Sequence, residues 1–96
     1  MSKVLAHEEI VVDGVVKQLT PAVYNPAEGQ SAVYAIINAE GGAMRYFVDG
    51  QNPSQSSGAL LEDGDVLELP SIYHIKDFRV VKAFTDAGKL TVTYEI

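Results

Sequence analysis

The sequence predicts an all-β fold: a single antiparallel β-sandwich, immunoglobulin-like or jelly-roll-like, with about seven strands. Three observations predict it. Gly and Pro punctuate the chain at short intervals, and the segments between them are rich in Val, Ile, Tyr, Phe and Thr, whose side chains suit a pleated surface. Three turn-like stretches, around Asp13-Gly14, Gly41-Gly42 and "TDAG", each stand between apolar runs. No segment repeats its apolar residues with a 3.6-residue period, so helix is nearly excluded.

Residues 1–7 read as a flexible N-terminal arm, in which the apolar Val4 and Leu5 could order on a neighbouring subunit. "EEIVVDGVVKQL" then places Asp13-Gly14 between two β-branched pairs, the pattern of a hairpin closed by a type I′ turn. From Thr20 to Gln30, "TPAVYNPAEGQ" has two prolines and no alternation, which predicts a long connection crossing between sheets. "SAVYAIINAEGGAMRYFVDG" repeats the hairpin pattern around Gly41-Gly42.

The next segment, "DGQNPSQSSG", predicts a corner rather than a chemical loop. Asp49-Gly50 turns the chain with a positive φ at Gly50, Pro53 stiffens the return, and Ser54, Ser56 and Ser57 supply hydroxyls to the loop. "EDGD" follows as a turn in which acidic side chains cap backbone N–H groups around Gly64. "DVLELPS" is a strand stopped by Pro70, which cannot donate to a ladder. A last hairpin is expected from "DFRVVKAF", "TDAG" and "KLTVTYEI", with Leu90, Val92, Tyr94 and Ile96 on the core face and Thr91, Thr93 and Glu95 on the wet one.

Ninety-six residues, 47% of them apolar, suffice for one core and therefore one domain spanning 1–96. A net charge of −6 argues against nucleic-acid binding, which needs clustered cations; only Lys76, Arg79 and Lys82 stand close together in the sequence. Cysteine is absent, which removes disulfides, thiolate metal sites and thiol catalysis from consideration. "MSKVLAHEEIVV" is too short and too acidic for a signal peptide, and no apolar run reaches the roughly 18 residues of a membrane span. The expectation is a soluble protein made in a cytoplasm.

The candidate constellations lean towards structure. His7 and His74 have no metal-ligand partner at short spacing, and His74 reads as an exposed or half-buried strand-end residue, so no metal and no other cofactor is expected. The pair Glu8-Glu9 and the run Glu62, Asp63, Asp65 contain carboxylates that a glycosidase would need, but "EDGD" is better explained as a capped turn, and it lacks calcium-loop spacing. The serines have no neighbouring histidine, and no glycine-rich loop opens a helix to cradle phosphate. Arg45 alternates with Tyr46 and reads as an outward-pointing strand residue. No enzymatic activity is expected.

"MRYFVDGQNPSQSSGALLEDGDVLEL", with "IKDFRVVKAF" and "KLTVTYEI", resembles small virion-associated proteins of tailed bacteriophages. In that group an Arg-aromatic strand leads to Asp-Gly-x-x-Pro-[Ser/Thr], a Gly-Asp strand start, a Phe-Arg strand and a terminal strand ending Val-x-Tyr. The resemblance covers Ala32 to Ile96. It implies a structural protein of the virion, made in the host cytoplasm, that decorates the capsid or joins head to tail. Its partners would be capsid or other virion proteins and further copies of itself. The stretch Tyr46 to Ser54 also resembles immunoglobulin-like modules attached to secreted carbohydrate enzymes, which implies a carbohydrate-binding or spacer module as the alternative.

Overall fold

A computed structural model describes residues 3–96. Strands β1 (Val4–Val12), β3 (Tyr34–Gly41), β6 (Val66–Leu69) and β8 (Gly88–Glu95) form a front sheet, in the order β1-β8-β3-β6. Strands β2 (Lys17–Gln18), β4 (Met44–Phe47), β5 (Ala59–Leu61) and β7 (Arg79–Lys82) form a back sheet, in the order β2-β7-β4-β5. Short helices α1 (Pro21–Tyr24) and α2 (Ile72–Asp77) lie in two of the connections. The all-β antiparallel sandwich is thus the fold of the protein.

Counted inwards from the two ends of the chain, β1 pairs with β8, β2 with β7, β3 with β6 and β4 with β5, all antiparallel. The polypeptide is one long antiparallel ribbon whose tip is the loop after β4. Successive rungs of the ribbon fall in alternate sheets, and the pairings β3–β8 and β4–β7 complete the two sheets. A ribbon rolled in this way is the jelly-roll form of the sandwich.

That path corrects all three expected hairpins. Asp13-Gly14, Gly41-Gly42 and the 85–87 turn each carry the chain from one sheet to the other. Asp13-Gly14 has no positive φ and so is not a type I′ turn; the Asp13 carboxylate accepts from Val15 N at 2.9 Å and its carbonyl accepts from Lys82 N at 2.9 Å. Gly41 has φ +86, and at Gly42 the corner stacks on the 85–87 corner so closely that a Cβ there would collide with the Asp86 carbonyl. A glycine at such a corner answers the same local need as a glycine in a hairpin. Which sheet the next strand joins is decided by distant pairing.

The N-terminal arm is corrected as well. Val4, Leu5, Ala6 and His7 belong to β1, and Lys3 exchanges two backbone hydrogen bonds with Ile96, at 3.1 and 2.8 Å. A register shift between Val4 and Ala6 accommodates Leu5, which packs against the core. Ladder bonds and apolar burial hold the segment; Met1 and Ser2, the rest of the expected arm, lie outside the described residues. The Thr20–Gln30 connection does cross between sheets, with α1 inside it.

The core lies between the sheets. Val12, Ile37, Leu90, Val92 and Tyr94 enter it from the front, and Met44, Leu61 and Val80 from the back. Leu19, Tyr24, Ile75 and Phe78 plug the ends from the connections, with Tyr46 and Phe78 stacked at 5.8 Å. Alternation is clearest in β8, where buried and half-buried residues alternate along the strand. Ile96, expected on the core face, falls beyond the strand and is exposed.

Candidate interaction surface

Residues paired across an antiparallel ladder share a face, so the register of the front sheet defines its outer surface. One row across it is Val4, Glu95 and Tyr34; the next is His7, Thr93, Ile36 and Glu68. A third is Glu9, Thr91, Asn38 and Val66, and the last is Val11, Lys89 and Glu40. Val4, Val11 and Val66 are 59%, 61% and 60% exposed, well above what a satellite of the core would show. The surface is therefore a rigid sheet face of mixed apolar and acidic character.

Its single strand cation, Lys89, bridges Glu40 at 3.0 Å and Glu9 at 3.2 Å. Hydrogen bonds to Glu40 and then to Glu9 hold its ammonium pKa above the usual lysine value. Tyr34 is pushed up chiefly by its hydrogen bond to Glu68, which favours the neutral phenol. Glu68 and Glu95 have no cation within 4.0 Å among the described residues.

Beneath this face, Glu8 separates from its neighbour Glu9 because alternate strand residues point to opposite sides. Glu8 accepts from the Tyr94 hydroxyl at 2.5 Å, from the Thr20 hydroxyl at 2.7 Å and from Thr20 N at 3.2 Å. It therefore ties the entrance of α1 to both strands. Burial first, and the bond to Glu8 second, push the Tyr94 phenol far above its ordinary range. Tyr24 packs against it with ring centroids 5.8 Å apart, and burial raises its pKa too. The Glu8-Glu9 pair is thus split between a structural node and the surface, and no paired acid and base results.

The tip loop is built as a corner. Gly50 has φ +84 and donates to the Asp77 carbonyl at 3.0 Å, while the Asp49 carboxylate accepts from Gln51 N at 3.2 Å. Pro53 is buried, and the backbones of Ser54 and Ser57 bond to each other at 2.9 and 3.3 Å. Arg45 crosses under the loop and donates to the Gln55 and Gly58 carbonyls, both at 3.0 Å. A depression of about 460 Å³ separates the loop from Gly14, Val16 and Val81. In the "EDGD" turn, Asp63 accepts from Gly41 N at 3.0 Å and Asp65 from Glu62 N at 2.8 Å, with Gly64 at φ +88.

The histidines lie apart, His7 on the outer front face and His74 in α2, where Ser71 meets its Nδ1 at 3.2 Å. The strand-end position expected for His74 is corrected: Ser71 accepts from His74 N at 3.3 Å and caps a helical turn. Among the described residues, no cluster of three or more His, Cys, Asp or Glu is disposed to hold a metal ion, and no helix is long and apolar enough to cross a membrane. The rows of the front face were not assembled by sequence reasoning, although the Thr91, Thr93, Glu95 alternation signalled part of them. No protein-family model, no curated protein and no solved structure matches the chain.

Proposed function

We propose that the protein is a non-enzymatic structural component of a tailed-phage particle, a capsid decoration or head-to-tail protein that acts by protein–protein contact. The observation that carries this reading is the outer face of the front sheet, where valines more than half exposed sit among carboxylates on a rigid ladder. A surface of that composition suits contact with protein. Two further points support it: the residues that resemble virion-associated proteins run from just before β3 to the C-terminus, and the rolled ribbon is an architecture used by viral capsid domains. Fold alone carries no function, so the weight rests on the surface.

The carbohydrate-module alternative has less support. The serine-lined depression beside the tip loop has no aromatic ring in its wall, and of the five tyrosines Tyr24 and Tyr94 are buried in the core. Co-sedimentation of the purified protein with phage shells, together with mass spectrometry of purified virions, tests the proposal. Binding to shells and presence in particles is the expected result. Absence from virions combined with retention on a glycan column would transfer the function to the alternative.

A further inference from the structure

The charges of the two sheets are segregated. Strands of the front sheet carry Glu8, Glu9, Glu40, Glu68 and Glu95 against Lys89 alone. Strands of the back sheet carry Lys17, Arg45, Arg79 and Lys82 and no carboxylate. By register Lys17 pairs with Val80 and Lys82 with Met44, on the inner side, and Lys17 bridges Asp13 at 3.7 Å, so the charges on the outer side of the back sheet are Arg45 and Arg79.

We propose that the outer face of the front sheet docks on the outer face of the back sheet of a second copy, giving a head-to-tail assembly. The inference rests on the reading that the protein acts by protein–protein contact, and it names the partner. By register, Arg45 faces outward beside Leu60 and Val81, where the tip loop leaves Val81 only 5% exposed, and Arg79 faces outward beside Phe47 and the exposed Gln18. Backbone carbonyls hold both guanidinium groups: those of Gln55 and Gly58 hold Arg45, and those of Lys76 and Phe78 hold Arg79. Neither has a carboxylate within 4.0 Å among the described residues. The arginines are therefore positioned in advance, with donors remaining for an acidic partner, because a guanidinium has five N–H groups.

The front face supplies the complement: Glu68 and Glu95, neither with a cation within 4.0 Å among the described residues, lie beside Ile36 and Tyr34. Front against front would oppose carboxylates, and back against back would oppose arginines. Only front against back matches charge and apolar area together. The net charge of −6 does not forbid this, since at about 0.15 M salt repulsion is screened beyond about 8 Å while contacting pairs are not. A contact between two different patches repeats, and closes into a ring or continues as a stack.

Sedimentation velocity over a concentration series tests this on the full chain. Assemblies larger than a dimer are expected at about 0.15 M salt, falling to monomer at about 1 M, where the screening length shrinks to about 3 Å. Two charge-swapped variants sharpen the test: Glu68→Lys with Glu95→Lys, and Gln18→Glu with Arg79→Glu, each with its melting temperature measured to confirm folding. Each alone should be monomeric, and an equimolar mixture should associate again. A parent that stays monomeric, a front-swapped or back-swapped variant that still self-associates, or a back face that binds DNA in place of a second copy overturns the proposal. A monomer that nevertheless sediments with shells overturns this inference and leaves the virion function standing; self-association without shell binding does the reverse.

Discussion

At the scale of single residues, Gly50 holds the conformation its sequence context predicts, and Tyr94 carries more than its own context suggests. Gly50 holds φ +84, a region that a β-branched residue adopts only under strain. Gly50→Val should lower unfolding free energy by about 1–3 kcal/mol, read as a lower denaturant midpoint at unchanged slope. Coincident curves for variant and parent would remove the corner from the account. Tyr94 donates to Glu8 from a fully buried ring, and its folded-state pKa lies above the unfolded value of about 10. A raised phenol pKa means that the folded form keeps its proton when the unfolded chain loses it. This stabilisation is complete below about pH 10 and declines as pH rises beyond it. Tyr94→Phe should cost about 1.5–3 kcal/mol at neutral pH and flatten the alkaline limb of a stability-versus-pH curve, with Tyr24, Tyr34 and Lys89 supplying the remainder. An alkaline limb unchanged in the variant would assign the effect elsewhere.

At the scale of elements, two segments behave unlike their local signals. The stretch "SIYHIKD" is β-rich in composition but forms α2, because Pro70 ends the preceding strand and the Ser71 hydroxyl accepts from His74 N. Ser71→Ala should lower stability by about 1 kcal/mol, the usual worth of an N-cap, and thermal melts would detect it. The N-terminal segment is an edge strand, with Lys3 bonded to Ile96 and Leu5 packed on the core. Deleting residues 1–7 should therefore cost about 2 kcal/mol or more, a Tm decrease of about 8 °C or more in a domain of this size. A truncated chain that melts with the parent would restore the arm.

At the scale of the whole molecule, pairing of β1 with β8 joins the two ends of the chain. Every rung of the ribbon except the β4–β5 tip waits on contacts distant in sequence. Closing such loops is slow, so refolding should proceed in milliseconds to seconds rather than microseconds. Stopped-flow fluorescence of the tyrosines would follow it; completion within the microsecond range would contradict the topology.

The sequence by itself determined the composition of the strands, the punctuation between them and the face that β8 buries. Those features depend on neighbours two residues apart and on backbone conformations local to Gly and Pro. It also determined that Asp49-Gly50, Gly41-Gly42 and the "EDGD" run are turns. What only the tertiary structure decided is where each turn leads. A glycine corner between stacked sheets and a glycine turn within one sheet make the same local demand, so Asp13-Gly14 and Gly41-Gly42 read as hairpins and are inter-sheet links. The interaction face was illegible for the same reason. Val4, Glu95 and Tyr34 form one row, and the carboxylates lie on one sheet while the arginines lie on the other, only because pairing between distant strands sets the register.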